Sequence, residues 1–210
     1  MSTFLQRVGV AVLPLFLVAC ASVPEAPNRV NLQGQCAPSL AALQPTPLTA
    51  SIAAEGKKVK AAALTDFAAL GQCVEDEKGR VATIMWKLQD VPLPSLVRLE
   101  IIANDAATLA AGMALLDEQH RVVRRHGFHE FSRRGSSFTL DVFLNPSDHG
   151  VRYLVLTPDP DWVGKQDETI SGVTNTVYLA YGAIYNYGTE GKSVRQLSDA
   201  GQLRIQILPL

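Results

Sequence analysis

The chain has 210 residues, 47% of them hydrophobic, which is enough to bury the core of one domain joined to a tether. Its formal net charge is −1 at pH 7, and such a nearly neutral balance gives no reason to expect a nucleic-acid partner. Length, composition and charge therefore favour a small folded protein that does not bind nucleic acid.

The beginning of the chain has the organisation of a bacterial export signal. Arg7 precedes an apolar run over residues 8–19, which is too short to cross a bilayer as a helix, since that needs about 20 apolar residues. The next residue is Cys20, and LVAC (17–20) has the pattern of a lipobox. The sequence therefore predicts a signal peptide over 1–19 and acylation of Cys20, which would anchor the protein in a membrane. An ordinary signal peptide that contains a cysteine is the alternative.

The residues after the cysteine predict location and a tether. In enteric bacteria, an aspartate directly after the lipidated cysteine retains a lipoprotein at the inner membrane. The residue at that position here is Ala21, so we expect the protein to be attached to the outer membrane and to face the periplasm. Residues 20–47 are rich in proline and predict an extended, partly stiff tether. The tether is expected to lead into one domain over residues 48–210.

The two remaining cysteines, Cys36 and Cys73, predict a disulfide. An exported protein folds in an oxidising compartment, where a disulfide is the default, and two free buried thiols are the alternative. Their spacing fits neither a zinc site nor a CxxC redox pair. The chain-entropy model gives such a bond about 4 kcal/mol of stability.

Alternation of apolar and polar residues predicts short, half-buried strands through most of the domain. The pattern is clear at 97–101, 138–144, 151–155 and 203–207, with turn sequences between the segments. We therefore predict an all-β fold, a β-sandwich of jelly-roll type. One or two short helices are expected, at the alanine-rich Lys60–Leu70 and at Thr176–Ile184, whose tyrosines have helical spacing.

Two polar stretches are candidates for binding. His126, His129 and Glu130 in RRHGFHEF (124–131) could bind a metal, but a strand would place the two histidines on opposite faces, so a solvated hairpin arm is the favoured interpretation. A patch for an anionic partner could form from the arginines of the same region. These are Arg121, Arg124, Arg125, Arg133 and Arg134.

Aromatic residues near the end of the chain are candidates for carbohydrate binding. Trp162 lies in an acidic loop and could be exposed. Tyr185 and Tyr187, and with them Tyr178 and Tyr181, could likewise stack on a sugar ring. Aromatic residues at helical spacing are, however, more often part of a core. The acidic loop lacks the spacing of a calcium-binding EF-hand.

The sequence contains no pattern typical of an enzyme. GTEGKS (188–193) lacks the first glycine of a phosphate-binding loop, since Asn186 stands at that position. A GxSxG nucleophile motif is also absent. We therefore expect no catalytic activity, no cofactor and no metal.

Four segments resemble the maltose-operon periplasmic protein (MalM) family in pattern and order. They are GRVATIMWKLQDVPLPSLVRLEIIAN (79–104), AAGMALLDEQHRVVR (110–124), GVRYLVLTPDP (150–160) and SVRQLSDAGQLRIQI (193–207). Members of that family carry an ordinary signal and continue into a helical tail, whereas this chain has a lipobox and stops at Leu210.

The resemblance implies a secreted, β-rich protein encoded with genes for maltose or maltodextrin uptake, and it carries over no catalytic residue. The first functional expectation is therefore a non-enzymatic accessory of carbohydrate transport, which binds oligosaccharide or docks on a porin or binding protein. The alternative is a structural or protein-interaction lipoprotein of the outer membrane that has no sugar ligand.

Overall fold

The computed structural model describes residues 32, 35–50, 62–69, 72–76, 79–103, 107–178 and 184–210. The strands are β1 (Thr46–Thr49), β2 (Thr65–Asp66), β3 (Cys73–Asp76), β4 (Gly79–Ala82), β5 (Ile84–Gln89), β6 (Ser95–Ile102), β7 (Ala107–Leu109), β8 (Ala111–Asp117), β9 (Val122–His126), β10 (Ser132–Arg134), β11 (Ser137–Leu144), β12 (Val151–Pro158), β13 (Gln166–Tyr178), β14 (Ile184–Ser198) and β15 (Gln202–Pro209). Three short 3-10 helices span Leu40–Ala42, Phe128–Glu130 and Pro146–Asp148. The predicted all-β sandwich is confirmed.

Two five-stranded sheets form the sandwich. Sheet one has the order β1-β5-β12-β8-β9, and sheet two has the order β10-β11-β6-β15-β2. Neighbouring strands are antiparallel except for β1 and β5, which run parallel. The alternation seen in the sequence decides which face each strand buries, because successive side chains of a strand point to opposite faces.

The core lies between the two sheets. Sheet two contributes Val97, Leu99 and Ile101 from β6, all fully buried, and sheet one contributes Leu154 and Leu156 from β12. Burial of one such side chain stabilises the fold by roughly 1.5–3 kcal/mol. The predicted period of two in these segments is therefore confirmed.

Charged residues form cross-strand pairs on the solvent face of sheet two. Arg98 and Asp141 lie opposite each other on β6 and β11, and the Arg98 Nε donates to Asp141 Oδ1 over 2.7 Å. The hydrogen bond from Arg98 lowers the pKa of the Asp141 carboxyl. Glu100 and Arg204 pair in the same way, 2.9 Å apart, on β6 and β15.

The predicted disulfide between Cys36 and Cys73 is confirmed. Beside it, the backbone N–H of Ala37 donates to the Cys73 carbonyl over 2.9 Å.

Leu43 packs with Met85 and Val155 in a second hydrophobic cluster on the outer face of sheet one. Residues 36–47 thus belong to the packed domain, so the predicted tether, drawn as far as residue 47, extends too far. Cys20 and the signal peptide lie outside the described residues.

Neither predicted helix is found where the structure describes those segments. Residues 62–69 contain the short strand β2 and a turn. Thr176 to Tyr178 ends β13, Ile184 begins β14, and Tyr178 pairs with Ile184. Threonine, valine and tyrosine are typical strand residues, and cross-strand pairing prevailed over the helical spacing of the tyrosines. No helix in the described part of the chain is long and apolar enough to cross a membrane.

Candidate interaction surfaces

The most prominent feature outside the sandwich is a long two-stranded ribbon, which we call the arm (β13 and β14). Its strands pair antiparallel without interruption from Gln166–Gln196 to Tyr178–Ile184, a length of about 40 Å at the usual rise of a strand. At the base, Gln196–Ser198 pairs with β7 in parallel, and Leu197 is buried. Beyond that base, no other strand in the described residues pairs with the arm.

The arm has an unusual surface for an exposed ribbon. Every residue from Ile170 to Val194 whose burial the structure describes is exposed. From Thr169 to Thr189 the sequence contains no charged residue. An isolated two-stranded ribbon is only marginally stable in water, so an exposed arm of this length, with no charge over residues 169–189, is suited to contact with another molecule.

The strand register places four large apolar side chains on one face, which we call the arm face. Ile170 and Tyr178 on β13 share this face with Ile184 and Val194 on β14, because residues directly opposite each other, and every second residue along a strand, point the same way. Their exposed fractions are 71%, 78%, 61% and 44%. Single exposed apolar residues are common, but several on one face indicate an interaction surface.

Two ion pairs hold the base of the arm. Lys192 and Glu168 lie 2.9 Å apart across the two strands, and both side chains are more than half exposed. Arg133 of β10 pairs with Asp167 of β13 over 2.5 Å, which links the second sheet of the sandwich to the arm.

The aromatic residues proposed for sugar binding have different surroundings. Trp162 is half-buried against the core, with Phe128 5.7 Å from its ring centre and the Lys165 ammonium 4.8 Å over its ring. The Trp162 ring is therefore not the exposed platform that we predicted, because Phe128, which is distant in sequence, packs against it. Tyr187 is 44% exposed on the arm, on the face opposite the arm face. The Tyr185 side chain lies outside the described residues.

Tyr178, which the sequence also offered for stacking on a sugar ring, is the most exposed large hydrophobic residue of the arm among those whose burial the structure describes. The helical spacing of the tyrosines predicted a helix at Tyr178, whereas the structure places Tyr178 at the end of β13. Four of the five tyrosines of the chain lie between Tyr178 and Tyr187.

The five arginines proposed as an anionic-partner patch are divided between the two sheets. Arg121 pairs with Asp117 over 2.8 Å and Arg124 with Asp148 over 2.9 Å, both beside sheet one. Arg133 and Arg134 lie on β10 in sheet two. Since Arg133 also pairs with a carboxylate, three of the five charges are already compensated. Arg125 and Arg134 are exposed.

The stretch 124–131 is not the solvated hairpin arm that we expected. It crosses from β9 in sheet one to β10 in sheet two, and Phe128 at its centre is buried in the core. The His126 Nδ1 lies 2.7 Å from Glu130 Oε2. Burial raises the pKa of Glu130, but the hydrogen bonds from His126 and from the Gly127 N–H outweigh it and leave the pKa lowered. Among the described residues, no group of three metal-ligating side chains is suited to hold a metal.

A polar groove of about 670 Å³ opens at one end of the sandwich. Lys87, Asp90 and Arg152 line it above an aliphatic floor that includes Leu93. Its volume is within the range of small-molecule sites. Within the part of the chain that the structure describes, the groove brings together no serine or cysteine nucleophile with a base.

Comparisons with protein-family models, with curated proteins and with solved structures find no match to this chain. The resemblance to the maltose-operon periplasmic protein family therefore depends on the four sequence segments alone.

Proposed function

We propose that this protein is a non-enzymatic lipoprotein of the bacterial cell envelope that docks on another envelope protein through the arm face. The observation that carries the proposal is the set of exposed apolar residues that the register aligns on one face of the arm, Ile170, Tyr178, Ile184 and Val194. Tyrosine and large aliphatic residues supply most of the contact area where proteins bind each other.

The sequence supports the proposed location. The apolar start and the lipobox at Cys20 favour a lipid anchor in the outer membrane, with the domain facing the periplasm. The resemblance to the maltose-operon family suggests a porin or a binding protein of maltodextrin uptake as the partner. The docking proposal does not depend on that suggestion, since it concerns the chemistry of the arm face.

Comparison of native complexes with matched surface variants tests the proposal. Envelopes from cells that express the full chain are solubilised in mild detergent, and the complex is sized on a native gel. Replacing Ile170 and Ile184 by serine is expected to release the protein from its complex. The control replaces Val123 and Phe143, which are 52% and 53% exposed but lie on the sandwich. A complex that survives the arm variant, or that both variants disrupt equally, would refute the proposal.

Oligosaccharide binding is the second candidate, favoured by the exposure of Tyr178 and Tyr187 on the arm. Exposed tyrosine rings can stack on a sugar. Calorimetric titration with maltodextrins of increasing length should give saturable binding that Tyr178→Ser weakens and Trp162→Ala leaves unchanged, because the Trp162 ring is covered. If no heat of binding is detected with maltodextrin up to tens of millimolar, any binding free energy is weaker than about −3 kcal/mol. That result would exclude a sugar ligand.

A further inference from the structure

A second groove, which we call the apolar groove, lies on the outer face of sheet one. Its volume is about 590 Å³, within the range of sites that hold a small ligand. Leu116 and Val155 line it and also belong to the second hydrophobic cluster. The aliphatic side chains of its walls come from sheet one, from the β3–β4 hairpin beside Cys73 and from the segment after Cys36. They include Leu40, Val74, Val81, Ala114, Leu116 and Val155.

Two arginines line the same groove, and both are exposed. Arg125 on β9 lies opposite Ala114 of β8, so the two side chains share the outer face of sheet one. The second is Arg80 on β4, whose Nη1 donates to the Leu32 carbonyl over 3.2 Å. The groove therefore combines aliphatic walls with guanidinium groups that solvent can reach.

The charges of these arginines are not compensated by ion pairs. Among the residues that the structure describes, no carboxylate lies within ion-pair distance of Arg80 or Arg125. Glu75 is opposite Arg80 on the hairpin but does not line the groove. Asp199 is the one carboxylate in the described lining, so two positive charges there face a single negative charge.

We propose that the apolar groove binds a free long-chain fatty acid, with the acyl chain along the aliphatic walls and the carboxylate at Arg125 and Arg80. Each methylene of the chain that leaves water adds to the binding free energy. A guanidinium group matches a carboxylate with two parallel hydrogen bonds. This inference goes beyond the proposed function and does not depend on the arm face, since the groove lies on the sandwich.

The combination of walls and charges selects this ligand over simpler ones. A small inorganic anion would use the arginines but would leave the aliphatic walls in contact with water. A neutral chain of the same length would cover the walls but would leave both guanidinium groups without a negative partner. A fatty acid satisfies both parts of the groove, because it carries one saturated chain and one carboxylate.

Photolabelling of isolated envelopes tests the site in the full chain. Envelopes from cells that express the protein are incubated with a hexadecanoic acid analogue that carries a mid-chain diazirine and a terminal alkyne, and are then irradiated. Mass spectrometry of the labelled peptides is expected to place the adduct on β8 or β12. Excess hexadecanoate should compete with the probe, whereas hexadecanol should not. An unlabelled protein, label outside the groove, or equal competition by hexadecanol would overturn the inference.

Matched charge reversals test the role of the arginine. Arg125→Glu should lower the labelled fraction roughly tenfold, since it removes a charge-assisted hydrogen bond and repels the carboxylate. Arg134→Glu changes an exposed arginine on β10 of sheet two and should leave the labelling unchanged. Equal effects of the two variants would overturn the proposed contact.

Two neighbouring valines of β9 provide a matched test of the walls. Val122 and Val123 are 42% and 52% exposed, but of the two only Val122 lines the groove. Val122→Asp should reduce the labelling because it places a negative charge beside the acyl chain, and Val123→Asp should not. Labelling that both variants leave intact, or that both reduce equally, would count against the groove as the site.

Discussion

Removing the Cys36–Cys73 disulfide should lower the stability of the whole fold and should also loosen one segment of it. The bond joins residues 37 positions apart, and the chain-entropy model gives a closed loop of that length about 4 kcal/mol of stability. For a chain of this size each kcal/mol corresponds to about 2–4 °C. Replacing both cysteines by alanine is therefore expected to lower the melting temperature by about 8–16 °C.

The local consequence follows from what the disulfide holds in place. It fixes the segment that carries Leu43 over Met85 and Val155 on the outer face of sheet one. The variant should therefore bind more of a dye that reports exposed hydrophobic surface, well below its melting temperature. Circular-dichroism melts of the full chain, with and without reductant, measure the shift. A fall of less than about 3 °C would refute the reasoning, because it would mean that the bond does not constrain the unfolded chain.

Three further substitutions test the sandwich and the arm. Leu99→Ala should lower the free energy of unfolding by about 2–5 kcal/mol because Leu99 is fully buried. Ile170→Ser on the arm should change it by less than about 0.5 kcal/mol. Urea titrations measure both values, and equal losses would contradict the assignment of core and arm. Asp141→Asn should cost less than about 1 kcal/mol, since Arg98 is 36% exposed. The folded-state pKa of Asp141 is lowered, so this loss should be complete above about pH 4 and should vanish as the pH falls through the lower folded-state value. A loss that stays the same at every pH below about 4 would exclude the ion pair as its cause.

The sandwich could be predicted from the sequence because its signal is local. Val97, Leu99 and Ile101 alternate with polar residues, and each of the three is buried. The pairing of Cys36 with Cys73 could also be predicted, since only these two cysteines remain once Cys20 is assigned to lipid.

The arm could not be predicted because it lacks that alternation. Both faces of a ribbon outside the sandwich contact solvent, so tyrosine, threonine and glycine follow one another without a period of two. The surroundings of Trp162 and Arg124 could not be predicted from the sequence either. Phe128 and Asp148 reach them from elements distant in sequence, and no local pattern reports such contacts.

The central claim is that the arm face docks on a partner protein, and site-specific photocrosslinking in intact cells tests it most directly. A photoreactive amino acid replaces Tyr178 in one strain and Val123 in another, both exposed positions. We expect ultraviolet light to give one discrete adduct with another envelope protein at position 178 and none at position 123. No adduct at position 178, or the same adducts from both positions, would contradict the account.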